Sequence, residues 1–295
     1  MKDLRSKVVV ITGAASGIGR ALALKFAKKG ANLALCDLNG RELERVSWDA
    51  KVLGVKIYHQ VVDVSVPEQL QNFRDNIVST FGVVDVVINN AGVSLSETVM
   101  QAKVENTKWL MNINMFGVLY GSQIFLRDLL CQKEARLVNV SSIFGVVGVP
   151  SQSAYCASKF AVRGFTESLQ AELIGTTVKV ILVMPGGVRT NIVRNGRHAY
   201  DARGNPTNRE ALAQLFDSVA MTSPEGAADA IVKAVQKPCV RLVIGSDAKL
   251  IDLLARVFPR WIYQWTARAA AFGARTRVNA EVEQPGESSN NKRAV

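Results

Sequence analysis

Histidine and cysteine are the scarce residues of this 295-residue chain. It has two of the first, His59 and His198, and four of the second, Cys36, Cys131, Cys156 and Cys239. No CxxC pair occurs and the cysteines lie far apart in apolar stretches. They read as small buried thiols, and neither a disulfide framework nor a metal site is expected. Long hydrophobic runs are absent as well: no uncharged apolar stretch reaches the ~18 residues of a membrane span. Lys2, Arg5 and Lys7 precede an apolar run at 8–11, but that run is too short for a secretion signal and passes straight into glycines. These absences point to a reducing, cytoplasmic setting. Charge of one sign is in deficit: 25 acidic residues face 36 basic ones, a formal net charge of +11. Without a basic run interleaved with aromatics, zinc-finger spacing or a basic zipper, that excess does not indicate nucleic acid. It leaves an anionic ligand or an anionic membrane surface to be considered.

What is present is a regular alternation. Short β-branched runs at 7–12, 32–36, 55–61, 84–88, 137–140, 178–184 and 240–244 read as strands. Helical spacing fills 17–29, 41–53, 68–81, 105–133 and 153–174. Such alternation predicts an α/β fold, a doubly wound Rossmann-type domain with a parallel sheet of about seven strands. The predicted organisation is a catalytic domain over 1–246, carrying an inserted substrate lobe at about 191–223. A helical extension follows at 247–280. The polar stretch 281–295, with Pro285 and Gly286, reads as a disordered tail.

Between the first strand and first helix runs Thr12-Gly13-Ala14-Ala15-Ser16-Gly17-Ile18-Gly19. Small residues there let backbone N–H groups approach a pyrophosphate, and the helix N-terminus adds partial positive charge. Asp37 ends the second strand, where a carboxylate accepts hydrogen bonds from the adenosine ribose hydroxyls. A 2′-phosphate would be repelled there. Leu38 and Asn39 supply no compensating cation, and Ser16 is not basic. NAD is favoured over NADP.

Tyr155 and Lys159 stand at i and i+4, on one face of a predicted helix. A free phenol has a pKa of about 10. A nearby cation lowers that by about 1–3, enough to make tyrosine an acid/base at an alcohol or carbonyl oxygen. Alone, the pair is weak evidence, since helices carry such pairs by chance. The same holds singly for Ser141 and Ser142, which suit a turn, and for Asn89, Asn90 and Asn114.

The glycine turn, Asn89-Asn90-Ala91-Gly92, Asn114, Ser141-Ser142, Tyr155 with Lys159, and Pro185-Gly186 occur in an order that marks one family. Over about 7–244 the sequence resembles the classical short-chain dehydrogenases/reductases. The resemblance implies a nicotinamide-dependent oxidoreductase with Asn114, Ser142, Tyr155 and Lys159 as its catalytic set. Ser142 would bond the substrate oxygen; the family's serine-to-tyrosine spacing selects it over Ser141. Lys159 would hold the nicotinamide ribose and lower the Tyr155 pKa, and Asn114 would hold a water relaying protons to Lys159. The implied cofactor contacts are Gly13, Ser16, Gly17, Ile18, Gly19, Asp37, Asp63, Val64, Asn90, Ala91, Gly92, Pro185, Gly186, Val188 and Thr190, with Tyr155 and Lys159. Asp63 is assigned to the adenine amino group, Ile18 to the pyrophosphate, and Val188 and Thr190 to the carboxamide. The family also implies a homodimer or homotetramer through the long helices around Asn114 and Tyr155.

The substrate is read less sharply. Ser94, Leu95, Phe144, Val147, Val149, Gly187 and Ile192 are the expected pocket walls, and their apolar character points to a hydrophobic secondary alcohol or ketone. Arg189, Arg194 and Arg197 offer an anionic group instead, or are solvated lid charges. Two rivals stand beside the NAD-dependent enzyme: an NADPH-dependent ketoreductase, and an idle dinucleotide-binding scaffold. The extension departs from the family's core. Leu250, Leu253, Leu254, Val257 and Phe258 recur at helical spacing, Trp261 and Trp265 continue the apolar surface, and Arg256, Arg260, Arg268, Arg275 and Arg277 lie around it. Packing on its own domain is the default reading. A subunit interface and peripheral contact with an anionic membrane through 247–277 are the others.

Overall fold

A computed structural model describes residues 1–198, 200 and 208–268. The expected tail at 281–295, and the extension beyond 268, lie outside the described residues.

The chain runs β1 (Val8–Thr12), α1 (Gly17–Lys28), β2 (Asn32–Asp37), α2 (Gly40–Lys51), β3 (Ile57–Val61), α3 (Pro67–Phe81), β4 (Val86–Asn89) and β5 (Leu95–Ser96). Then come α4 (Val104–Met111), a π-helical turn (Asn112–Phe116), α5 (Gly117–Leu130), β6 (Ala135–Val140), α6 (Ser153–Glu172) and β7 (Val178–Pro185). It closes with β8 (Arg197–His198), α7 (Arg209–Val219), α8 (Pro224–Gln236), β9 (Arg241–Ile244) and α9 (Ser246–Val257).

Seven strands form one sheet in the order β3-β2-β1-β4-β6-β7-β9. Every pairing is parallel. Strand residues alternate between two cores, as the two-residue pleat requires. Val9, Ile11, Leu33, Leu35, Val86 and Ile88 face the α1, α2 and α8 side with Phe26, Leu43 and Ile231. Val8, Val10, Ala34, Cys36 and Val87 face the α3, α5 and α6 side with Phe73, Phe125 and Leu169. This double burial is why β1 reads as an unbroken apolar run.

Helix ends are set locally. Asn39 accepts a hydrogen bond from Glu42 N, and Ser223 from Gly226 N ahead of Pro224. Gly82, at φ 72°, closes α3 in the left-handed conformation. The expected single helix over 105–133 is instead α4 and α5 joined by the π turn, whose extra residue serves the site described below. One cysteine departs from expectation. Cys36 and Cys156 are buried and Cys239 half-buried, but Cys131 is exposed, because it falls at the C-terminal end of α5.

The chain leaves β1 toward β2 and β3 on one side, and toward β4, β6, β7 and β9 on the other. The β1/β4 boundary is therefore the topological switch point, where a crevice opens at the carboxyl ends of the strands.

Candidate active site

Two turns face each other across that crevice. A Cβ on Gly13 (φ +65°) would lie 2.8 Å from Ala91 Cα, so the turns after β1 and β4 meet only because this position is glycine. Thr12 Oγ1 accepts from both Asn90 N and Ala91 N at 3.0 Å, and Asn90 Nδ2 donates to Thr12 O at 2.9 Å. Sequence reasoning misses this role of Thr12, although a short hydroxyl at the end of a buried strand is the available signal. At Gly19 a Cβ would lie 2.0 Å from Gly13 O, and at Gly17 one would reach Thr190 Cγ2 at 3.0 Å.

Ser16 occupies the N-cap of α1 without making a side-chain cap, and no acidic residue sits in the first turn. The first N–H groups of α1 are thus left to meet an anion. Alongside is a cavity of about 240 Å³ that includes Gly17, Thr190, Arg20, Lys25, Lys28 and Arg189 in its walls. Glu225 also lines it, and Lys25 is ion-paired with Asp229 and Arg20 with Asp49, which leaves Lys28 and Arg189 as the cations outside those ion pairs. At the end of β2, Asp37 Oδ2 accepts from Ala15 N and Oδ1 from Asn39 N, each at 2.9 Å. The carboxylate is held in place with acceptor capacity to spare. These features fit a dinucleotide with a free adenosine ribose. Asp63 accepts from Ser65 N and Oγ, at 2.9 and 2.6 Å, and Val64 packs against Gly117.

The second group of residues hangs on α6, β6 and the π turn. Ser142 accepts from Phe144 N at 3.2 Å as the cap of a short 3-10 turn over Ile143–Gly145. Ser141 points elsewhere, donating to Lys159 O at 2.8 Å, which ties β6 to α6. Tyr155 is 9% exposed and Lys159 3%. The ammonium lies 5.7 Å from the phenol ring centroid and donates to Val140 O at 3.2 Å. Asn114 is fully buried within the π turn. Its amide bonds Val93 in both directions, Oδ1 from Val93 N at 2.8 Å and Nδ2 to Val93 O at 2.9 Å. Nδ2 also reaches Ser158 Oγ at 3.2 Å. A Cβ on Gly92 would lie 3.2 Å from Asn114 Oδ1 and 3.5 Å from Lys159 Nζ, so both side chains converge on that glycine. A π bulge at such a position aims one side chain at the cost of one helical register.

Electrostatics here oppose the expectation. Burial pushes the Tyr155 phenol up to about 12, offset only in part by its hydrogen bond with Ser142. Burial pushes Lys159 down to about 8. The ammonium lies over the ring, and desolvation of the buried phenol is the largest influence on it.

The expected pocket walls partly gather. Leu95, Phe144 and Tyr155 share a cluster with Leu110, and Phe144 meets Tyr155 edge-on at 6.0 Å. Ser94 Oγ donates to Ile192 O at 2.7 Å and lies 2.9 Å from His198 Nε2, a link between distant segments that the sequence does not signal. Burial holds the His198 imidazole down to about 4. β5 and β8 pair in parallel beside it. Arg194 is ion-paired with Glu210 and Asp217, and Arg197 stacks on Trp109 at 4.0 Å while bonding Asn106. Arg189 and Arg197 are exposed and Arg194 is half-buried, so the three sit on the solvent side of the lobe, Arg197 held by Trp109 and Arg194 by its ion pairs. Pro185 ends β7; Gly187 N donates to Asp247 Oδ2 at 2.8 Å and Val188 bridges Thr222, which fixes the loop leading to Thr190. No group of three or more candidate metal ligands occurs among the described residues.

Known proteins share this fold and sequence pattern. A family model described as short chain dehydrogenase matches residues 7–201. The protein SadH of Mycobacterium tuberculosis is 40% identical over 260 residues, covering 87% of this chain and 92% of its own. A short-chain dehydrogenase/reductase from Burkholderia phymatum, solved in complex with NAD, superposes with a TM-score of 0.79 at 28% identity, over 87% of this chain and 95% of that one. An alcohol dehydrogenase from Thermococcus sibiricus, complexed with 5-hydroxy-NADP, gives a TM-score of 0.70 at 26% identity, over 81% and 95%. The chain belongs to the short-chain dehydrogenase family and is an oxidoreductase of the classical type, built to use a nicotinamide dinucleotide.

Proposed function

We propose that this protein is an NAD-dependent dehydrogenase interconverting a hydrophobic secondary alcohol and its ketone, with Tyr155 as acid/base. One observation carries the reading: Ser142, Tyr155, Lys159 and Asn114 gather in one buried cluster across from the glycine turn and Asp37. A bound nicotinamide supplies the hydride acceptor in oxidation and the donor in reduction. The proton is the task of the chain. In oxidation the alcohol proton passes to Tyr155 Oη; in reduction the phenol returns it to the carbonyl oxygen. Ser142, hydrogen-bonded to Tyr155, orients that oxygen. Lys159 stabilises the phenolate that oxidation needs and holds the ribose, and Asn114 sets the backbone of Val93 beside it.

NAD is preferred because Asp37 presents a tethered carboxylate where NADP carries its 2′-phosphate. Residues 191–223 serve as the substrate lobe, stapled by the Ser94–His198 contact, and 247–280 as an appended segment. An apolar substrate is supported by Leu95 and Phe144 beside Tyr155, with Arg194 and Arg197 engaged elsewhere and Arg189 placed on the α1 cavity. The reading extends to a homodimer or homotetramer through α5 and α6, where Phe116, at the N-cap of α5, and Phe160 on α6 are 40% and 42% exposed; sedimentation tests it. For the activity, secondary alcohols of rising chain length are assayed with NAD, with and without a terminal carboxylate. Turnover should rise with length and ignore the carboxylate. A requirement for the carboxylate contradicts the substrate class, and NAD binding without turnover of any alcohol or ketone favours the scaffold reading.

A further inference from the structure

Ala248, Ile251 and Leu254 turn α9 toward the domain, yet a second apolar stripe on the same helix does not face it. Leu250, Leu253 and Val257 stand at i, i+3 and i+7 on α9, and each is 56–57% exposed. Ala248 is the buried residue of this helix. Past Pro259 the exposure continues, with Trp261 at 60% and Tyr263 at 59%. Phe258 packs on Trp265 at 6.3 Å, joining the two helical stretches into one surface. Packing on its own domain, the default for such a stripe, is therefore not what these side chains do.

Charge surrounds the stripe and has one sign. Lys249, Arg256, Arg260 and Arg268 are exposed. The acids of this segment turn inward: Asp247 accepts from Gly187 N, and Asp252 is ion-paired with Arg241 and also meets Arg256. Thr266 Oγ1 donates to Gly148 O at 3.0 Å. The surface thus rests on the Gly148 and Gly187 loops, at the rim of the candidate active site. No described helix is long and apolar enough to cross a membrane.

We propose that this face docks on an anionic lipid surface, with Leu253, Val257 and Trp261 entering the headgroup region and the surrounding cations meeting lipid phosphates. Leucine and aromatic residues on one side with arginine and lysine around them are what an interfacial helix needs. A second copy of the chain is a poorer occupant. A two-fold contact would set this cationic rim against itself, whereas an anionic surface complements it.

The test is flotation of the full-length protein with vesicles of phosphatidylcholine alone and of phosphatidylcholine mixed with phosphatidylglycerol, at low and high salt. The protein should float with the mixed vesicles at low salt, leave them at high salt, and shift its tryptophan emission to shorter wavelength when bound. Lys249→Glu/Arg260→Glu should weaken binding by at least about fivefold for each cation removed. Leu253→Ser/Trp261→Ser should abolish it. All four positions are exposed, so wild-type melting is expected; if a double variant melts early, Arg260→Glu alone gives the same reading. Failure to float at low salt overturns the proposal, as does equal binding to both vesicle types. Loss of oligomer mass in Leu253→Ser/Trp261→Ser, with no flotation of the wild type, assigns the face to a second copy instead.

Discussion

Asp37→Ala isolates the cofactor preference. In the wild type each carboxylate oxygen already accepts one backbone N–H, from Ala15 and Asn39 at 2.9 Å. An ionised carboxylate offers about four lone-pair sites, which leaves two for the ribose hydroxyls of NADH. Hydrogen bonds to a charged group contribute roughly 1.5–3 kcal/mol each. At the low end, losing two costs about 3 kcal/mol, on the order of a hundredfold in Kd. The same change relieves NADPH of a carboxylate facing its phosphate. Two unit charges about 5 Å apart at an effective dielectric near 20 interact by about 3 kcal/mol, and salt screening reduces that, so a gain of roughly tenfold is expected. The NADH-over-NADPH preference should therefore fall by about a thousandfold, read by titrating nucleotide fluorescence on both proteins. A wild type that binds NADPH as tightly as NADH, or a variant that keeps the preference, refutes the assignment of Asp37.

Asn114→Ala strands the Val93 N–H and C=O, both bonded by the amide. A fully buried group left unpaired costs about 1–3 kcal/mol; Val93 is half-buried, so urea unfolding should shift by about 1 kcal/mol while turnover falls. With Tyr155 up at about 12 and Lys159 down at about 8, the phenol is protonated at neutral pH and ready to donate. Ketone reduction should be flat through neutrality. Alcohol oxidation should rise about tenfold per pH unit and bend over near 8, where Lys159 loses its charge; a kcat/KM profile checks both. Oxidation already flat from mildly acidic pH contradicts that order of events. Gly19→Ala places a Cβ 2.0 Å from Gly13 O, and NADH binding should be lost with the turn.

The β-branched runs mark all seven strands of the main sheet; the central ones read as unbroken apolar runs because they are covered on both faces, while the edge strand β3 is half-exposed and carries His59 and Gln60. The Tyr155–Lys159 spacing needs only a helix to bring both to one face. The π turn is not legible in the chain: helical periodicity continues on both sides, and its extra residue is fixed by Asn114 reaching Val93, a partner 21 positions away. The direction of the Tyr155 shift escapes sequence reasoning for the same kind of cause, since burial is a property of the packed site. Ser94 and His198 are separated by 104 positions, and no local pattern marks them as neighbours. The apolar stripe of α9 is visible in its spacing, but which way it faces is decided by the domain beneath it.

The central claim is that Tyr155 moves the proton while the rest of the site binds. Tyr155→Phe removes one oxygen and leaves the ring against Phe144. With a ketone turned over by the wild type, single-turnover NADH oxidation should slow by about 10²–10⁴, while the Kd for NADH stays within a factor of about two. A variant that retains the wild-type rate contradicts the account, because some other group then supplies the proton.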